Sequence, residues 1–455
     1  MLFSLANPTN PGGFSLTLRL YARYLETGNT LLHHQLLEVD ARGRISMLRS
    51  LQDDEALPAC TYDYVIPGCV NAHSHAFQVL LRPTTGQPVH FKDWVDRFLY
   101  PCVLELDEER LYASAVLVFH EMLRAGITTV GEFHYVNNLA EGQSSEQRYA
   151  RTLIRAAETV GLRIVLIRTL YDQRHKPGQI RFQEPLAQAI AQTEALAHEY
   201  AGHPLVSVLP APHSLHGASR ELVCAGAALA KRLGTPWHIH LSEQPGDADF
   251  ALTRYGLRPL ACLEHWGILD HDACIVHGIW FDDEDLERMQ KHQCRQVYNP
   301  LTNMALGDGI ARLPELLKRG VLVALGTDAN TDSSLFLEAR MAEYLQRSQQ
   351  LSMGHVSAGQ LFAMTNGNGA HALGLSTGRL ALGQAADFLA LNLSSPSMLP
   401  AMCTDAADPD ALRQALLNQL LFSAVPQEVI QAVYVAGQKR VESGKHVSVD
   451  LTELF

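Results

Sequence analysis

Tyr64-Val65-Ile66-Pro67-Gly68-Cys69-Val70-Asn71-Ala72-His73-Ser74-His75 begins as an apolar run and ends on a His-X-His pair. In a β-strand alternate side chains share a face, so His73 and His75 can grip one ion together. Read outward from there, the chain repeats one pattern: a short apolar run ending in polar residues, then an amphipathic stretch. That alternation is the βαβα signature of a parallel sheet. Eight strands are predicted, at 64–71, 128–134, 163–170, 206–212, 236–241, 273–278, 295–299 and 321–326. The clearest helix runs from Asp107, with Glu108 and Glu109 in its first turn, to Gly126; an acidic N-terminus and a glycine just past the end suit a helix. Others are expected from Asp282 to His292 and from Ala311 to Arg319. Eight such units over about 300 residues argue for a (β/α)8 TIM-like barrel. The rival, a doubly wound open sheet, lacks a Gly-X-Gly-X-X-Gly after its first strand.

The two ends of the chain read differently. Ser15-Leu16-Thr17-Leu18-Arg19-Leu20-Tyr21 alternates, Gln35–Asp40 leads into a turn at Ala41-Arg42-Gly43, and β character returns at 386–392 and 428–440. Residues 1–66 and 378–455 are therefore expected to build one small β-sandwich domain, with the barrel (67–377) inserted between them.

The chain has 455 residues, enough for a barrel and an accessory domain, with 47% hydrophobic and 18% charged residues. A net charge of −12 argues against nucleic acid or anionic lipid as a partner. Its eight cysteines are scattered without a Cys-X-X-Cys, so buried reduced thiols are expected. No run of about 20 apolar residues suggests a membrane span. Residues 1–8 lack a basic and then apolar leader pattern, which makes the cytoplasm the expected compartment.

The polar residues at the strand ends carry the chemistry. His73 and His75 close the first predicted strand, His240 the fifth, His277 the sixth, and Asp328 follows the eighth. Three neutral imidazoles and one carboxylate (His73, His75, His240, Asp328) can hold a divalent cation and leave a position for water, whose pKa falls towards neutrality there. His277 is placed to orient or deprotonate that water, and Asp328 to accept its proton. Glu243, three residues after His240, can protonate a departing nitrogen.

Pro67–His75, His238-Ile239-His240-Leu241-Ser242-Glu243, Val276-His277, Gly326-Thr327-Asp328 and Gly378–Phe388 together resemble the amidohydrolase superfamily, and within it the mononuclear-metal deaminases and chlorohydrolases. The resemblance spans nearly the whole chain. It implies one divalent ion, most often Zn2+, held by His73, His75, His240 and Asp328, with His277, Glu243 and Asp328 catalytic; a homodimer is common in such families. Two-metal members carry a carbamylated lysine on the fourth strand, which here ends Leu209-Pro210-Ala211-Pro212-His213 without one.

His73–Gln78, Glu132-Phe133-His134-Tyr135 and His213-Ser214-Leu215 are further similar to the formimidoylglutamate deiminase family. That implies substrate-binding roles for Gln78, Tyr135 and His213. The family reads His-Ser-Leu-Arg where this chain has His216, and an arginine forks onto a substrate carboxylate as histidine cannot. Arg82 is the candidate to compensate. The expected reaction is hydrolytic deamination of a small amidine, N-formimino-L-glutamate or a relative. An aminopyrimidine, purine or triazine substrate is the alternative, and a barrel that binds metal without turnover is the alternative of another class.

Overall fold

A computed structural model describes residues 16–87, 89–405 and 408–453; residues 1–8 and Ser15 lie outside this range. Its first four strands are β1 (Leu16–Glu26), β2 (Leu31–Asp40), β3 (Ile45–Ser50) and β4 (Cys60–Pro67). The next eight are β5 (Cys69–Ser74), β6 (Ile127–His134), β7 (Arg163–Leu170), β8 (Val206–Pro212), β9 (Trp237–Leu241), β10 (Ala273–His277), β11 (Arg295–Tyr298) and β12 (Leu322–Leu325). The last four are β13 (Phe388–Leu391), β14 (Ile430–Val435), β15 (Gln438–Glu442) and β16 (Lys445–His446).

Strands β5 to β8 form one parallel sheet in sequence order and β9 to β12 another. They are buried along nearly their whole length, as strands covered on both faces must be. The sheets are stitched together just beyond their C-terminal ends. His240 donates its backbone N–H to the His213 carbonyl (3.0 Å), joining β9 to the end of β8. Thr327 and Asp328 both donate to the His73 carbonyl (3.0 Å each), and His75 donates to the Asp328 carbonyl (2.9 Å), joining β12 to β5. The result is a TIM-barrel-like α/β fold whose seams run through the candidate ligands. Gly326 permits the second seam, since a Cβ there would lie 2.8 Å from the Cβ and the carbonyl oxygen of His73.

The predicted strand boundaries hold to within one residue for β6 to β12, but the opening stretch differs. It is two strands, not one, because Pro67 has no N–H to continue a ladder. Gly68 turns the chain instead, its own N–H bonding the Asp387 carbonyl (3.0 Å). Strand β4 stays with the chain ends and β5 enters the barrel-like core. The Asp107 carboxylate caps helix Glu108–Arg124 by accepting the Arg110 N–H (2.8 Å). The helix expected from Ala311 to Arg319 is shorter, Leu313–Lys318, since Pro314 sits at its start.

Both ends of the chain do meet, with β13 pairing antiparallel to β4 and β1 parallel to it. The described strands of the two ends are hydrogen-bonded in the order β16-β15-β14-β13-β4-β1-β2-β3. Strand β4 is paired on both edges, with β1 and with β13. Arg163, at the foot of β7, forks onto buried Asp387 with bonds of 2.9 and 3.1 Å. Asp387 also accepts from Thr377 and the Ala436 N–H, tying the sheet to the core. Among the described residues the eight cysteines are free, and no helix is long and apolar enough to cross a membrane.

Candidate metal and catalytic centre

His73, His75 and His240 each turn one ring nitrogen to a common point, and those atoms lie within 4.8 Å of one another. The Nε2 atoms of His73 and His240 are 3.2 Å apart. Asp328 Oδ1 stands 3.5 Å from His73 Nε2 and 3.4 Å from His75 Nε2. Two nitrogens bonded tetrahedrally to one zinc-sized ion would be about 3.3 Å apart, so the spacing fits a single divalent cation. Ring orientation is set from behind: His75 Nδ1 bonds the Phe133 carbonyl (2.8 Å) and His240 Nδ1 the His213 carbonyl (2.9 Å). A proton held there leaves the Nε2 lone pair for a metal. Phe133 packs against all three rings, with centroids 4.3 to 5.5 Å away.

Burial keeps these imidazoles neutral, as ligation requires. It lowers His73 and His240 well below the usual histidine range and His75 to about 4. His277, at the end of β10, is likewise lowered to about 3. Its Nε2 lies 3.6 Å from Glu243 Oε1 and 4.0 Å from Asp328 Oδ2. Burial, with Asp308, Asp328 and Asp247 nearby, raises Glu243 well above the usual carboxylate range. Asp328 is raised to about 8 by burial and by Asp308. Three residues here, Ser242 (φ 53°), His277 (φ 75°) and Asp328 (φ 47°), adopt the left-handed backbone that non-glycine residues avoid. Such strain persists only where surrounding bonds enforce it, and it clusters at functional sites.

The remaining sequence candidates divide. Gln78 Nε2 donates to the Tyr135 hydroxyl (3.0 Å), and the Tyr135 ring meets His75 edge-on (5.0 Å between centroids). His213 packs against His240 (4.9 Å) and, on its other side, against His216 (5.7 Å). His216 is partly exposed and faces a carboxylate, its Nδ1 lying 3.9 Å from Asp247 Oδ1. The Arg82 guanidinium forks onto Glu121 (2.7 and 3.1 Å) and its Nε donates to the Asn330 carbonyl (2.6 Å). His238 points lower in the interior and bonds the Ala372 carbonyl (2.9 Å).

Several further groups, to which the sequence assigned no bond at the site, support it. Asn71 accepts from the Thr327 N–H (3.1 Å) and donates to its hydroxyl (2.7 Å), locking the seam beside His73. Glu132, at the end of β6, accepts the Ala76 N–H (2.6 Å) just behind His75 and is raised by burial to about 8. Asn303 and Asp308 stand behind His277.

A model of the amidohydrolase family matches residues 64–440. The 5-methylthioadenosine/S-adenosylhomocysteine deaminase of Syntrophobacter fumaroxidans is 31% identical over 86% of this chain and 83% of its own. The 5'-deoxyadenosine deaminase of Methanosphaera stadtmanae is 28% identical over 86% and 85%. In fold, the chain is similar to an amidohydrolase from Brucella melitensis (TM-score 0.85, 24% identity, 95% and 96% covered). It is also similar to a zinc-bound adenosine deaminase from Xanthomonas campestris (TM-score 0.82, 23% identity, 96% and 95% covered). The chain belongs to the amidohydrolase family and is a hydrolase acting on carbon–nitrogen bonds.

Proposed function

We propose that the chain is a hydrolytic deaminase that uses one divalent ion, zinc by preference, to release ammonia from an aminopurine nucleoside or a related amino-heterocycle. The observation that carries this reading is the 3.6 Å approach of Glu243 Oε1 to His277 Nε2 beside the three ligand imidazoles. A barrel that merely stored metal would need neither group. When bound, the ion lowers the pKa of water and so supplies a nucleophile near neutral pH. Asp328 presents Oδ1 towards His73 and His75 and Oδ2 towards His277, so one oxygen serves the ion while the other takes the proton from water. Water oxygen adds to the carbon bearing the amino group. Glu243, kept protonated by burial and neighbouring carboxylates, gives its proton to the nitrogen that leaves as ammonia.

For the rest of the substrate, support comes from the two relatives named for adenosine-type compounds and from the site's outer wall. There Asp247 faces His216, and Arg82 is committed to Glu121. A carboxylate beside His216 suits sugar hydroxyls and opposes a dicarboxylate. The second reading, N-formimino-L-glutamate, is favoured by the Gln78–Tyr135 bond and by His213 packed against His240, but no arginine stands at 216 to meet its carboxylate.

The test is ammonia release by zinc-loaded protein from adenosine, 5-methylthioadenosine, aminopyrimidines, triazines and formimino-glutamate. Turnover of the adenosine compounds supports the proposal. Turnover of formimino-glutamate alone replaces it with the second reading, and retained zinc without any ammonia release overturns the deaminase reading itself.

A further inference from the structure

We infer that Asp308 and Asn303 are positioning residues that hold His277 in the tautomer with its proton on Nε2, so that it faces the reacting groups as a hydrogen-bond donor and not as a base. His277 Nδ1 is 3.2 Å from Asn303 Nδ2 and 3.5 Å from Asn299 Nδ2. An amide N–H pointing at a ring nitrogen requires that nitrogen to accept, which puts the imidazole's single proton on the other one. The orientation of the amide decides everything, and the fold fixes it independently of His277. The Asn303 nitrogen also donates to Asp308 Oδ2 (2.8 Å). With Asp308 ionised, turning the amide round would set its carbonyl against that carboxylate.

Asp308 is anchored in turn. Its other oxygen accepts from Gln244, and its backbone N–H bonds the Asn303 carbonyl (2.9 Å). Its own carbonyl accepts from the Trp280 indole N–H (2.9 Å). His277, Asn299, Asn303 and Asp308 are all at most 1% exposed, so water does not compete for these bonds. Gln244 directly follows Glu243 and Trp280 follows His277 by three residues. The lock therefore ties together the two loops that carry the proton-transfer groups. With Nε2 protonated, His277 directs a donor towards Glu243 Oε1 and Asp328 Oδ2. Taking the proton from water then falls to Asp328.

The kinetic part of the test rests on the deaminase reading; the spectroscopic part does not. Nitrogen-15 NMR of histidine-labelled, zinc-loaded wild-type protein is expected to show His277 with a bare Nδ1 and a protonated Nε2. The opposite tautomer in the wild type overturns the inference whether or not any substrate is found. Asn303→Asp supplies an acceptor and is expected to reverse the tautomer, keep the zinc content, and lower kcat by on the order of 10²–10⁴-fold with little change in KM. Asp308→Asn, nearly isosteric, is expected to relax the lock and give a smaller kcat loss. A reversed tautomer with undiminished kcat would overturn the positioning role. Failure of the deaminase reading would leave the tautomer result standing.

Discussion

Asp328 approaches His73 at two points: its backbone N–H bonds the His73 carbonyl at 3.0 Å, and its Oδ1 lies 3.5 Å from His73 Nε2. The bond that joins β12 to β5 thus also sets the distance between two candidate ligands. Ligand spacing and seam integrity should fail together.

Gly326→Ala tests that coupling. The added methyl would press first on Asn299 Oδ1 and then, at 2.8 Å, on the Cβ and the carbonyl of His73. Overpacking of this kind costs about 1–3 kcal/mol. Thermal unfolding should shift down, and bound zinc should fall below the wild-type content. A variant with lowered stability but full zinc would separate the seam from the site.

Glu243→Gln should retain zinc, because Glu243 is not among the converging ligand atoms. Removal of a proton donor typically costs 10²–10⁴-fold, so kcat should drop by roughly that factor. Metal analysis beside steady-state rates checks both halves, and an undiminished rate would take Glu243 out of proton transfer.

Glu132 gives the protein a pH-dependent weakness. Its folded-state value is raised to about 8 by burial, against the ordinary 4.5. A raised carboxyl keeps its proton in the fold after the unfolded chain has lost it. Its contribution is therefore full below about pH 4.5 and declines as pH climbs to about 8, at up to about 1.4 kcal/mol per pH unit. Glu132→Gln mimics the protonated form and should flatten this slope. Urea unfolding at pH 5 and pH 8 should show the variant gaining on the wild type at the higher pH. Parallel losses in both proteins would assign the slope to other groups.

Arg82→Ala should behave as a change to the fold's support. The pair with Glu121 is half-buried and shared with the Asn330 carbonyl, so stability should fall by about 1 kcal/mol. The ratio of kcat/KM between two competing substrates should stay within about twofold, since its donors are engaged by Glu121 and the Asn330 carbonyl. A large change in that ratio would restore Arg82 as a substrate contact.

The sequence by itself determined the repeating strand-and-helix order, the ends of seven barrel-like strands to within one residue, and which polar residues stand at those ends. These are local quantities: apolar runs, caps, and the alternation that puts His73 and His75 on one face. Tertiary structure decided what lies between distant segments. It split the opening stretch at Pro67-Gly68, because the two halves pair with different sheets, and it made the end strands one sheet by pairing β4 on both edges. Arg82 meets Glu121, 39 residues away, only in the fold. Asn303 comes within 3.2 Å of His277 Nδ1 only there. Side-chain chemistry is written residue by residue, but a hydrogen bond or an ion pair needs two groups, and for partners far apart in the chain only folding chooses the second.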